Sequence, residues 1–152
     1  MGVPTRSPTH RDLDLTKLAS LGMEVEELAD GEPVDTGALV DLAAERGKPV
    51  SHYLAGLALA SEVEQVTQHP VNLVVCAGKC QSWGALDVLD RATDLWERRR
   101  DQGLPLFDVT VRSCLDRCEH AAVCELRGPD GTAVMTETTA RQVEDALTAI
   151  LG

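Results

Sequence analysis

The chain has 152 residues, of which 43% are apolar, so it is long enough for one compact domain with a hydrophobic core. Only 3% are aromatic, and the predicted core is therefore built from Leu, Val and Ala. The formal net charge of −11 argues against a nucleic-acid partner, which needs clustered Lys and Arg, and suits high solubility or docking onto a basic partner protein.

Targeting signals are not visible in the sequence. Residues 1–14 lack the apolar stretch of a secretory signal, and no run of about 18 apolar residues could span a membrane. A cytoplasmic protein without membrane insertion is therefore expected. In that compartment thiols stay reduced, and paired cysteines more often serve metal or redox chemistry than structural disulfides.

The first half of the chain is predicted to be helical. Residues 1–34 form a partly disordered N-terminal segment that contains one helix and a turn, and residues 35–69 form a helical appendage. In the appendage, Gly47 is expected to end one helix and Ser51 to cap the next. The carboxylates of Glu24, Glu26 and Glu27 are interpreted as a solvated helix face and not as a catalytic cluster.

Residues 70–152 show the pattern of an α/β domain with the order β-α-β-β-β-α. The expected elements are a strand over 71–76, a helix over 82–99, strands over 106–113, 121–127 and 132–137, and a final helix opened by the capping box of Thr139 and Gln142. The segment 128-GPDG-131 has the turn chemistry of an antiparallel hairpin.

Four of the five cysteines follow the first two predicted strands of this domain. Cys76 is the last residue of the first strand and Cys80 lies in the loop after it, whereas Cys114 and Cys118 follow the second strand. The pattern is Cys-x3-Cys, 33 residues, Cys-x3-Cys. Two strands joined by a crossover helix are normally parallel, so both cysteine pairs are expected at the carboxyl-terminal ends of the strands, on the same end of the sheet. The four thiols should therefore converge on one small site.

The spacing leaves the chemistry of that site open. Zinc accepts four thiolates with two to four residues between the members of each pair, and a 2Fe–2S cluster also takes four thiolates, two for each iron. A dithiol oxidoreductase is less favoured, because thioredoxin-type motifs use Cys-x-x-Cys at the start of a helix.

Several stretches resemble the thioredoxin-like 2Fe–2S ferredoxins. These stretches are VVCAGKCQSWGALDVLDRA, VRSCLDRCEHAAV, the PDG hairpin and the short C-terminal helix, and together they cover residues 71–151. Within that superfamily, the helical segment 46–63 resembles the one that precedes this domain in the small 2Fe–2S subunit of complex I and of NAD(P)-linked hydrogenases and formate dehydrogenases.

The resemblance implies a fold, a cofactor and a function. Cys76 and Cys80 would ligate one iron of a single 2Fe–2S cluster, and Cys114 and Cys118 the other, on a thioredoxin-like domain preceded by a small helical segment. The chain would be an electron carrier with no catalytic site of its own, serving as a subunit or partner of a flavin- and NAD(P)H-binding redox protein. A free ferredoxin, a homodimer, and a zinc-bound or metal-free interaction module with the same fold remain open.

Two features depart from the pattern of those relatives. The three-residue gap between Cys76 and Cys80 is one residue shorter than the gap typical of the complex I branch. The fifth cysteine, Cys124, lies outside the usual ligand set and is predicted to be a small buried thiol on a strand face shared with Leu126. His120 follows Cys118 closely but is predicted to lie beside the site and not to bind metal.

Overall fold

A computed structural model describes residues 15–60, 63–76, 85–112, 123–135 and 139–151. Within these ranges the chain is of mixed α/β class, as expected from the sequence. The elements in chain order are α1 (Leu15–Ala29), α2 (Thr36–Arg46), α3 (Val50–Ala60), β1 (Asn72–Cys76), α4 (Ala85–Asp101), β2 (Asp108–Arg112), β3 (Cys124–Gly128), β4 (Gly131–Met135) and α5 (Ala140–Leu151).

Local capping signals explain the ends of α2. The Asp35 carboxylate accepts a hydrogen bond of 2.8 Å from the backbone N–H of Ala38, which satisfies one of the free donors of the first turn. At the other end Gly47 adopts the left-handed conformation, with φ of 67°, and its N–H bonds back to the last carbonyls of the helix. The predicted helix stop at Gly47 is confirmed.

The start of α3 differs from the prediction. The helix begins at Val50, and the carbonyl of Pro49 already accepts the N–H of His52 at 3.1 Å. Ser51 therefore lies inside the first turn, where it is fully buried and its Oγ has no hydrogen-bond partner among the described residues. The prediction that Ser51 caps this helix is wrong, because the helix begins two residues earlier than a cap at Ser51 would place it.

The four strands form one sheet in the order β2-β1-β3-β4. β1 and β2 are parallel, as predicted for two strands joined by a crossover helix, and the structure shows that they are direct neighbours. On its other side β1 pairs antiparallel with β3. β3 and β4 form the predicted antiparallel hairpin, with Gly128 opposite Gly131. From β1 onward the described elements thus follow the order β-α-β-β-β-α.

Side-chain hydrogen bonds lie at two element boundaries. β2 begins at Asp108 and not at Leu106, and the carbonyl of Phe107, just before the strand, accepts the indole N–H of Trp96 at 2.8 Å. The capping box of α5 is confirmed: the N–H of Thr139 donates to Gln142 at 2.9 Å, and the N–H of Gln142 donates to the Thr139 hydroxyl at 3.2 Å.

The helices of the first half pack directly on the α/β sheet. One continuous cluster of buried side chains includes Val25 of α1, Leu54 of α3, Leu73 of β1 and Leu147 of α5. α1 packs against α3, and α3 in turn contacts α4 and β2. The division of the chain at 34 and 69 stays a prediction, but the helical segment and the sheet share one hydrophobic core.

Candidate functional site

One of the four predicted ligands lies within the described residues. Cys76 is the last residue of β1, is only 1% exposed, and donates its backbone N–H to the carbonyl of Val123 at 3.1 Å. Cys80, Cys114 and Cys118 lie outside the described residues, as does His120. The convergence of the four thiols therefore stays a prediction.

The geometry of the strand ends bears directly on that prediction. β1 and β2 are immediate neighbours, and the last residue of β1, Cys76, is opposite the last residue of β2, Arg112. Both strands run in the same direction, so their carboxyl-terminal ends lie side by side at the same end of the sheet. The second cysteine pair begins with Cys114, two residues beyond Arg112 in the sequence.

Two side chains from residues 35–69 bond the backbone of β2 on the side that faces away from β1. The amide of Gln65 accepts the N–H of Val111 at 2.8 Å and donates to its carbonyl at 2.9 Å, so it bonds this residue much as a neighbouring strand would. The hydroxyl of Thr36 bonds Val109 in the same way, at 2.9 and 3.3 Å. These hydrogen bonds fix the backbone of β2 shortly before the second cysteine pair in the sequence. No pattern in the sequence indicates them.

Cys124 faces away from the side of the sheet that carries Cys76. It pairs with Val75 on β1, and paired residues share a face of the sheet, whereas Cys76 follows Val75 and points to the other face. Cys124 is fully buried in the hydrophobic core, on the same face as Leu126. The predicted burial of this thiol is confirmed, and the register separates it from Cys76.

A basic residue at the strand end was also missed by the sequence analysis. Arg112 is exposed and makes no ion pair with the part of the chain that the structure describes. An open depression of about 360 Å³ on the Cys76 face of the sheet is lined by Val74, Thr110, Arg112 and Arg127, among others. Positive charge therefore stands beside the predicted ligand position in a chain whose net charge is −11.

A second polar cluster lies away from the cysteines and connects three helical elements. Glu24 of α1 accepts hydrogen bonds from the Tyr53 hydroxyl at 3.0 Å, from Arg46 at 3.0 Å and from Lys48 at 2.9 Å. Its side chain is 13% exposed, so the interpretation as part of a solvated face is wrong for Glu24, whereas Glu26 and Glu27 are exposed as expected.

The titration behaviour of this cluster follows from its contacts. Burial raises the pKa of Glu24, but the hydrogen bonds from Lys48 and Tyr53 and the charges of Lys48 and Arg46 outweigh it, so the pKa of this carboxyl lies below its ordinary value. Burial, together with the hydrogen bond to the Glu24 carboxylate and its charge, raises the pKa of Tyr53. The cluster therefore holds an ionised carboxylate and a neutral phenol at neutral pH.

Comparisons with known proteins add no relative. No protein-family model matches the chain, and no curated protein matches it. Within the described ranges no helix has the length and apolar character needed to cross a membrane. In the same ranges no group of three or more His, Cys, Asp or Glu side chains is arranged to hold a metal ion, and three of the four predicted ligands lie outside them.

Proposed function

We propose that the chain is an electron carrier that holds a single 2Fe–2S cluster on a thioredoxin-like domain. The observation that carries this proposal is the parallel pairing of β1 with β2, with Cys76 at the end of β1. This pairing puts the ends of the two strands that precede the cysteine pairs side by side, which supports the convergence of the two pairs. A parallel β-α-β unit followed by an antiparallel hairpin and a final helix is also the element order that the resemblance implies.

The residues present fit the proposed cofactor. Four cysteine thiolates are a usual donor set for a 2Fe–2S cluster, with Cys76 and Cys80 on one iron and Cys114 and Cys118 on the other. When bound, such a cluster takes up and releases one electron. The burial of Cys76 limits access of water to that ligand, and the positive charge of Arg112 opposes the negative charge of a thiolate-ligated site.

The proposed partner is a flavin- and NAD(P)H-binding redox protein in the cytoplasm. The sequence contains no dinucleotide-binding fingerprint or phosphate-binding glycine loop, so another chain has to supply hydride chemistry. The packing of the helical segment against the β2 edge supports a role as a subunit or dedicated partner, because free ferredoxins of this group usually lack such a segment.

One alternative is supported by a specific observation. Both cysteine pairs have three intervening residues, which is within the range found in structural zinc sites, and the first gap is shorter than in the complex I branch. A zinc-bound interaction module with the same fold would use the same four thiolates.

The decisive experiment is to purify the full chain anaerobically and to measure its visible spectrum, iron, acid-labile sulfide and zinc. We expect a red-brown protein with about two iron and about two sulfide per chain. We further expect Cys114→Ser to lose the visible bands and Cys124→Ser, a matched thiol-to-hydroxyl change on the opposite face from Cys76, to keep them. A colourless protein with one zinc per chain would overturn the proposal in favour of the zinc module.

A further inference from the structure

β4 forms one edge of the sheet, and all but the last of its residues are exposed. A two-residue turn joins it to β3, so the closing pair of the hairpin, Gly128 with Gly131, is hydrogen-bonded. Hydrogen-bonded and non-hydrogen-bonded pairs alternate along an antiparallel ladder. Thr132 and Val134 therefore turn their backbone N–H and C=O groups away from β3, toward the open edge.

The two edges of the sheet are treated differently. At the β2 edge, the outward backbone groups of Val109 and Val111 are each bonded twice, by Thr36 and Gln65. At the β4 edge, no residue in the described ranges bonds the outward backbone groups. An exposed edge strand of this kind is a ready template for pairing with another strand.

We propose that β4 pairs antiparallel with β4 of a second copy of this chain, about a two-fold axis at Ala133. In this register Thr132 of each copy is opposite Val134 of the other, which forms four main-chain hydrogen bonds. Ala133 meets Ala133 of the second copy at a non-hydrogen-bonded pair, where Cα atoms are about 4.5 Å apart. The small exposed side chain of Ala133 fits this close approach.

Charge favours a second copy at this strand. A two-fold axis places identical side chains close together, so charged residues on the strand would repel their copies across the axis. A chain with a net charge of −11 has few stretches without such charges. The β4 sequence GTAVM contains no charged residue. On the adjacent strand, Glu125 and Arg127 form an ion pair at 3.0 Å and offset each other.

Apolar exposure at the same edge adds to this argument. Val134 is 45% exposed on β4. Pairing of two β4 strands removes apolar surface from water in addition to the main-chain hydrogen bonds. The proposed interface does not rest on the proposed electron-transfer function.

The test combines sedimentation with position-specific cross-linking of the full chain. We expect wild-type protein to sediment at twice the chain mass of 16.3 kDa at micromolar concentrations. In the variant Ala133→Cys, mild oxidation should join the introduced thiols of the two copies in a disulfide across the axis. Digestion without reductant should then yield a cross-linked peptide pair that contains position 133 of both copies. The matched control is Ala44→Cys, another exposed alanine, on α2 at the opposite edge, which should give only background cross-linking.

A second variant tests the hydrogen bonds without disturbing the fold. Val134→Pro removes an outward N–H and leaves the bonds between β3 and β4 intact, so it should keep the circular-dichroism spectrum and sediment as a monomer. A wild-type chain that remains monomeric up to about 100 μM would overturn the proposal, since edge pairing that weak would not form a standing dimer. A dimer without this cross-linked peptide pair would overturn it too, because it would use another surface. Cluster content enters neither readout, so the result is separate from that of the electron-transfer proposal.

Discussion

Replacement of Thr36 by Val is expected to loosen the contact between the helical segment and the sheet. Valine has nearly the shape of threonine, but it removes the hydroxyl that accepts the Val109 N–H at 2.9 Å and donates to the Val109 carbonyl at 3.3 Å. Thr36 is 4% exposed and Val109 is 1% exposed, so water does not readily replace the hydroxyl. An unsatisfied buried backbone group costs about 1–3 kcal/mol. Because the bond to the carbonyl is long, we expect the free energy of unfolding to fall by about 2–3 kcal/mol in total.

The matched control is Thr36→Ser, which keeps the hydroxyl and loses one methyl group. That loss should cost only about 1 kcal/mol. Urea denaturation of the three proteins at pH 7, followed by circular dichroism, gives the two differences directly. If Thr36→Val were as stable as Thr36→Ser, the hydroxyl would not be holding the β2 edge, and the argument that the helical segment supports that strand would fail.

Three further predictions concern the helical segment. Glu24→Gln should lower stability by about 1–2 kcal/mol at pH 7. Because the folded-state pKa of Glu24 lies below its ordinary value of 4.5, the difference from wild type should be full above that pH and should shrink as the pH falls through the folded-state pKa, as measured by urea denaturation across pH. Gly56→Ala should destabilise the chain by about 1 kcal/mol, because the new Cβ would lie 3.1 Å from the backbone N of Gly22 on α1. The cost of this overpacking exceeds the gain in helix propensity that alanine brings. The difference can be measured by thermal unfolding. Gln65→Ala should leave the fold intact but bleach the proposed cluster faster in air, because it frees Val111 at the end of β2; an unchanged bleaching rate would contradict the supporting role.

The features that the sequence predicted well are those encoded by neighbouring residues. Gly47 stops α2 by adopting a positive φ that side-chain-bearing residues rarely adopt, and Thr139 and Gln142 form a capping box that spans only four positions. The strands and α4 were recognised from hydrophobic patterns of comparable range. The failure at Ser51 is of the same local kind, since the helix begins only two residues before the predicted start and Pro49 occupies the position before its first residue.

The features that the sequence did not predict depend on distant residues. Thr36 and Val109 are separated by 73 positions, and Gln65 and Val111 by 46. A side chain that bonds the backbone of a remote strand leaves no periodicity in the sequence, and nothing near Glu24 indicates that its donors come from two other elements. The cysteine pairs are an intermediate case, because their positions after two strands were legible, whereas the adjacency of β1 and β2 became known only from the sheet.

That adjacency also gives the helical segment a physical role in the proposed electron carrier. A 2Fe–2S site requires its ligands to keep nearly the same geometry before and after an electron arrives, and loops keep their geometry best when the elements that carry them are rigid. β1 is held on both sides by neighbouring strands, but β2 is an edge strand with a neighbour on one side only. Gln65 and Thr36 supply the missing bonds on its other side, immediately before the second cysteine pair. Thr36 and Gln65 therefore take the place of a fifth strand beside β2, next to the ligands of the proposed cluster. On the other side of the sheet, the outer backbone groups of β4 remain available for the proposed pairing with a second copy.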